Sequence, residues 1–275
     1  MPTPPRVDSG LQCYVFLLLA ALTFVAGPVT GADLADMDKP ADEQEVRHQL
    51  DVCNRDIQAH PQAPQAYVQR GIAYFKLHEF GRAIGDFSRA IALDDRQDDA
   101  YFGRGMARGR NGDIDQGIAD LGVYIQRHPR STLAYTKRGV RHLWKKDLAG
   151  AEHDLRQAVL LDPGNAEAHD DLGVVHAQRG EYMKAIEHFS ATVRLDPSYQ
   201  KGYHNLGVAY YLVGNEVQAL AAVNESLRLQ PDNRSSLILK SEILKYLGRL
   251  DEAKRVREDA EFAPEGNWSE QMPLR

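Results

Sequence analysis

An all-α solenoid of antiparallel helix pairs is the fold class this sequence predicts, on three observations. Residues 166–233 carry one 34-residue pattern twice without a gap, so that Leu172 and Gly173 answer to Leu206 and Gly207, Ala185 to Ala219, and Pro197 to Pro231. The same period runs without insertion from Pro64 to Asn267, as 64–97, 98–131, 132–165, 166–199, 200–233 and 234–267. Within each copy, positions 4, 8 and 11 form one stripe at helical spacing and positions 20, 24, 27 and 28 form a second, which makes two helices per copy. A fixed period of this length marks units that stack on their neighbours instead of closing round one central core.

The N-terminus stands apart from the repeats. Residues 1–32 hold Arg6 in a short polar start, the apolar run Tyr14–Ala26, a Gly27-Pro28 break and the small residues Thr30-Gly31-Ala32. That is the layout of a secretory signal. The apolar run is short for a membrane span, which takes roughly 20 residues. The expectation is cleavage after Ala32 and a periplasmic or extracellular chain. Retention as a membrane anchor through residues 11–26 is the alternative, and the membrane would then be touched through this segment only. Cys13 leaves with the signal, so Cys53 has no internal disulfide partner and reads as a small buried apolar residue.

Residues 33–41 read as a flexible, polar lead-in. Over 42–63, Asp42 caps a helix with Glu45 as its capping-box partner. Val46, Leu50, Cys53 and Ile57 make its single apolar stripe, and Pro61 and Pro64 end it. This helix sits where the second helix of a preceding copy would be, and is expected to act as the N-terminal cap.

Inside the copies, position 8 holds Gly71, Gly105, Gly139, Gly173, Gly207 and Ser241, while position 20 holds Ala83, Gly117, Ala151, Ala185, Ala219 and Ala253. Small residues facing each other let two helix backbones approach. Large ones such as Tyr67, Phe87 and Phe189 fill the flanking space. Pro129, Pro163, Pro197 and Pro231 at position 32 end the second helix, because proline cannot continue it. These residues resemble the tetratricopeptide repeat over 64–267. That resemblance implies a right-handed superhelix with a concave groove in which peptides usually bind. The last copy departs most, with Lys240, Ser241 and Arg257 at normally packed positions, as a polar terminal cap would. The tail 268–275 has no periodicity, and its Trp268 either docks on the last helix or is solvated.

Two positions change together. Position 7 is Arg70, Arg104 and Arg138 in the first three copies, and position 23 is Asp86, Asp120 and Asp154. In the next two they become Leu172 with His188 and Leu206 with Ala222. Paired loss predicts an ion pair between the two helices, since losing one partner alone would strand a charge. An arginine ladder for an anionic ligand is the alternative. The second copy looks weakest: Gly103, Gly105, Gly109, Gly117 and Gly122 all fall in its helices, each costing about 0.8–1 kcal/mol relative to Ala.

Net charge is −6, which argues against a nucleic-acid partner. No nucleotide loop, nucleophile motif or metal-ligand spacing is found. His169 and His176 are seven residues apart, about 10 Å along a helix, too far to share an ion. No enzyme activity and no cofactor are therefore expected, and signal, cap, copies and tail use the whole length.

Function is expected in the groove. Its face carries positions 2, 5, 9, 12 and 13, with Asn205 at position 6. The candidates for partner binding are Phe75, Phe102, Trp144, Tyr211 and Tyr246 as apolar anchors, Arg110, Lys201 and His204 as cations, Asp170 as an anion, and Asn205 for a peptide backbone. The Lys and Asn clamp with which one subfamily grips acidic chaperone tails is missing: position 5 is Val68, Phe102, Thr136, Asp170, His204 and Ile238. The function this implies is a scaffold binding a protein or peptide in the cell envelope. Self-assembly of the chain and a non-catalytic place in an envelope enzyme complex are the alternatives.

Overall fold

The computed structural model describes residues 34–264. The signal region, the tail and Trp268 lie outside the described residues. The described residues form two compact units, one up to Ala100 and one from Tyr101.

The first unit begins with a departure from expectation. Leu34 and Met37, in the stretch expected to be a flexible lead-in, are buried. Two large apolar side chains four residues or fewer apart are enough to draw this segment onto the protein. Helix α1 (Glu43–Ala59) starts where Asp42 accepts a hydrogen bond from the Glu45 amide, and it buries Val46 and Cys53. Helices α2 (Pro64–Lys76) and α3 (Phe80–Leu93) follow. Pro64 stands at the first helical position, where its missing N–H has no partner to lose. The two helices meet at Gly71: a Cβ there would lie 2.8 Å from the Phe87 ring.

The second unit contains most of α4 (Asp98–Asn111), then α5 (Ile114–Arg127), α6 (Thr132–Trp144), α7 (Leu148–Leu161), α8 (Ala166–Gln178), α9 (Tyr182–Leu195), α10 (Gln200–Leu212), α11 (Glu216–Leu229), α12 (Arg234–Tyr246) and α13 (Leu250–Phe262). No strand occurs among the described residues. The fold is an all-α helical repeat. Successive helices pack as pairs, α6 on α7, α8 on α9, α10 on α11 and α12 on α13, and each pair stacks on the next.

The close approach recurs at position 8. Built Cβ atoms at Gly139, Gly173 and Gly207 would come within 2.8, 2.5 and 2.5 Å of Leu155, Phe189 and Val223. Ser241 solves the same problem differently, since its hydroxyl donates to the Ala253 carbonyl at 2.9 Å. Ala151, Leu155, Ala158, Leu172, Val175, Ala185 and Phe189 form the central apolar cluster. At position 15 each pair turns through a left-handed residue. Gly112, Gly180, Gly214 and Gly248 do this at no steric cost, but His78 (φ 59°) and Lys146 (φ 63°) also hold it.

The glycines of α4 and α5 are not merely weak points. A Cβ at Gly105 would sit 3.0 Å from the Gly117 carbonyl, and one at Gly109 would sit 2.6 Å from Arg141 Nε. Gly122 has only ordinary contact at 3.5 Å. Three of the five glycines expected to cost stability thus hold positions where a side chain does not fit, the third being Gly117, where a Cβ would lie 2.8 Å from the Gly105 carbonyl.

Candidate functional site

Between the helices of the first three pairs the arginines and aspartates meet as forks. Arg70 donates from Nε and Nη2 to Asp86 at 2.7 and 2.8 Å, and its Nη1 reaches Asn54 on α1 at 2.8 Å. Arg104 donates to Asp120 at 2.9 and 2.8 Å, joined by Arg108 at 2.6 Å. Arg138 donates to Asp154 at 2.6 and 2.7 Å. In each pair the position-4 tyrosine lies under the same guanidinium: Tyr67, Tyr101 and Tyr135 have ring centroids 5.7, 5.5 and 5.9 Å from the Arg carbon. The aspartates hold Arg70 and Arg138 above their ordinary pKa through hydrogen bonding and charge. An arginine ladder for anions has no open fork here, because each fork holds a carboxylate.

The fourth pair replaces this arrangement with histidines. His188 Nδ1 lies 3.3 Å from His169 Nδ1, and the His188 ring stacks on His176 at 5.3 Å. His176 in turn contacts Glu181 at 2.8 Å. Burial, with the neighbouring His176 and His169, pushes His188 down to about 4. No group of three or more His, Cys, Asp or Glu among the described residues is arranged to hold a metal ion.

The expected groove face needs correction in several places. Phe75 and Phe102, expected as exposed anchors, are 3% and 0% exposed. Phe75 packs edge-on against Phe80 and Phe102 against Tyr124, so both belong to the core. Asp170 is not a groove anion either, being 0% exposed. It accepts from Asn205 Nδ2 at 2.9 Å and faces Lys201 Nζ at 2.9 Å. Asn205 is buried in that contact and does not present its amide to a ligand. Lys201 keeps about a third of its side-chain exposure. His204 contacts Ser236 at 2.9 Å, and burial pushes it down to about 4.

Phe75 and Phe102 are taken up by the second helices of their own pairs, and the polar candidates share another reason. First helices of successive pairs lie against one another, α6 with α8, α8 with α10 and α10 with α12. Positions 2, 5 and 6 therefore face the next first helix. Lys137 with Glu167 at 2.7 Å, and Asn165 with Thr136 at 3.1 Å, belong to the same set of links.

Two clusters remain accessible. Trp144 at the end of α6 is half-buried, with the Arg110 and Arg141 guanidinium carbons 5.6 and 4.7 Å from its ring centroid. Arg141 is buried, and its terminal nitrogens approach the Lys137 and Met106 carbonyls at 3.4 Å. Arg141 was not among the residues expected at the site. The signal was available: position 10 is otherwise Ala73, Ala107, Val175, Ala209 and Ile243, and the glycine that admits the guanidinium is Gly109. The second cluster is Tyr211 with Tyr246, edge to face at 5.5 Å. Tyr246 is 72% exposed, and Leu212, Val213, Leu247 and Leu250 around the same turns are exposed too.

Stacked helix pairs, with polar links along the first helices and aromatic clusters left open, define a helical-repeat scaffold. Family models for the tetratricopeptide repeat match residues 68–132 and 175–214. The chain carries tetratricopeptide repeats over those residues. Proteins of this family are generally scaffolds for protein–protein interaction and not catalysts. Among solved structures, one chain of the Cut9–Hcn1 heterotetramer of APC/C is similar at 19% identity and TM-score 0.71, over 86% of this chain and 46% of that one. The present chain thus spans about half the length of that relative. The Pseudomonas aeruginosa pilF protein is similar at 18% identity over 74% of this chain and 91% of that one, with TM-score 0.64. YrrB, described as a repeat protein with an unusual peptide-binding site, is similar at 21% identity over 67% and 95%, with TM-score 0.53. At these identities the likeness is one of fold. No curated protein matches the sequence. No helix among the described residues is long and apolar enough to cross a membrane.

Proposed function

We propose that the chain is a non-catalytic scaffold that holds a protein or peptide partner on the groove side of its first helices. One observation carries this reading. Trp144, beside Arg110 and Arg141, and Tyr211 with Tyr246 stay accessible at the ends of first helices, several of whose polar groups link to the neighbouring first helix. Accessible aromatic side chains, one of them flanked by guanidinium groups, suit partner capture, since Trp, Tyr and Arg dominate interface energetics. A partner segment with apolar side chains for Tyr211 and Tyr246, and another for the open side of Trp144, fits the two clusters. The peptide-binding site of YrrB, on a similar fold, supports a peptide as the partner by analogy. Export through residues 1–32 would place the scaffold in the cell envelope.

The test is capture of partners from solubilised envelope by the full chain and by a Trp144→Ala/Tyr246→Ala variant with unchanged circular dichroism. A partner held by the native chain and lost by the variant is expected. Equal recovery by both would reject these clusters as the site. Cell fractionation checks the location, and a chain found wholly in the cytosol would sink the envelope reading.

A further inference from the structure

The acid pair on α8 does not balance its charges. Asp170 and Asp171 are adjacent and buried, at 0% and 6% exposure. The charged groups acting on Asp171 are Lys201 from α10, Asp170 and Glu167 from its own helix, and Lys137 from α6. Tyr199, in the loop before α10, and His204 on α10 also face the cluster. Three carboxylates therefore meet two ammonium groups. Lys137 reaches Glu167 at 2.7 Å and Lys201 reaches Asp170 at 2.9 Å, but Lys201 Nζ stands 4.0 Å from Asp171 Oδ1. Asp171 Oδ2 is buried without a hydrogen-bond partner. An ionised carboxylate held this way is costly, and two carboxylates that share one site keep a proton on one of them.

We propose that Asp171 carries a proton at neutral pH and that this proton acts as a latch between α8 and α10. With Asp171 neutral, Lys201 serves Asp170 alone, and the Asp170–Lys201 and Asp170–Asn205 contacts hold the two helices together. When Asp171 ionises, it competes for Lys201 and adds an unpaired buried charge, so the junction loosens. The environment agrees: burial pushes Asp171 up to about 7, with Lys201 opposing and Asp170 reinforcing. Because α8 and α10 are first helices, the proton also governs the face on which a partner is proposed to sit. The latch itself does not depend on that proposal.

The linkage has a definite sign. The folded state holds a proton that an ordinary aspartate, near 3.9, gives up in the unfolded chain. Native stability from this group therefore falls as pH rises from about 4 to about 7, then levels off. Asp171→Asn mimics the neutral form and cannot ionise. Thermal denaturation of the full chain is expected to show the variant gaining on the native protein by several degrees across that window, with a constant gap above about pH 8. Asp170→Asn frees Lys201 for Asp171 and is expected to move the window to lower pH. A gap between Asp171→Asn and native that stays constant from pH 4 to 8 would overturn the latch. Carboxyl carbon NMR of the native full chain reads the proton directly, and a titration free of any carboxyl with a midpoint between about pH 6 and 8 overturns it regardless of how the variants fold.

Discussion

Removing Asp154 alone, and then with its partner, measures what the inter-helix forks contribute. Asp154 is 1% exposed and accepts from both Nε and Nη2 of Arg138, while Arg138 retains about a fifth of its side-chain exposure. Breaking a buried pair costs about 3–5 kcal/mol because the other charge remains behind. Arg138 is not wholly enclosed and regains some water, which puts Asp154→Ala near the lower limit, about 3 kcal/mol. Arg138→Leu leaves the more deeply buried charge and falls in the same range or above. The double variant is different, because the chain already uses it: Leu206 and Ala222 occupy these two positions in the fifth pair and are buried there. Arg138→Leu/Asp154→Ala is therefore expected to cost only about 1 kcal/mol, a residue of lost contacts such as that from His153 Nδ1 to Asp154 at 3.1 Å. Urea unfolding of the full chain followed by helical circular dichroism supplies the cycle, with an unchanged m-value as the check that only stability has moved. Single costs that add within about 0.5 kcal/mol in the double variant would refute the reasoning.

Other substitutions separate core from surface and test the turns. Phe102→Ala is expected to lose about 3–5 kcal/mol in denaturant melts, as a fully buried ring does, whereas Tyr246→Ala stays within about 0.5 kcal/mol. Gly122→Ala, with room for a methyl group, is expected to gain about 0.8–1 kcal/mol, while Gly173→Ala drives a Cβ to within 2.5 Å of the Phe189 ring and lowers stability in the same assay. Lys146→Gly relieves a left-handed lysine and raises stability by up to about 1 kcal/mol. Burial holds His188 and His204 near 4, below the ordinary histidine value of about 6.5, so the unfolded chain takes up protons that the folded chain refuses. Relative to His188→Gln, the native protein is expected to weaken steadily as pH falls from about 6.5 to 4. A gap independent of pH would remove that account.

The fold was open to reading because a small residue at position 8 answers one physical demand, the side chain at position 24, in pair after pair. Gly173 lies under Phe189 and Gly207 under Val223 for the same reason, and a sequence that repeats the demand reveals it. The face beside it was harder. Positions 5 and 12 read as groove positions, yet Phe102 and Phe75 are core. A period identifies which residues share a face, but not how closely the neighbouring helices approach that face. The polar candidates failed for this reason as well. Asp170, Asn205 and His204 have the composition of a ligand-binding surface, and stacking turns that composition inward.

The departures from the period carry more information than the period itself. Arg141 breaks a column of small apolar residues, and the chain accommodates it with Gly109 and places it against Trp144. His169 and His188 replace a tyrosine and an aspartate together, and the result is a contact between the two rings in place of an ion fork. Asp171 stands beside Asp170 with one lysine between them, where neighbouring pairs have Lys137 and Asn205 at its position. All three departures lie within α6–α10. A stacked array that needed only stability would repeat the fork in the fourth and fifth pairs, since Arg138 with Asp154 packs as a closed pair of opposite charges. Buried histidines and a protonated aspartate are less stable solutions over part of the physiological pH range. Their concentration in two adjacent pairs, beside the pair that carries Trp144, ties the acid–base response of the chain to the segment proposed to hold its partner.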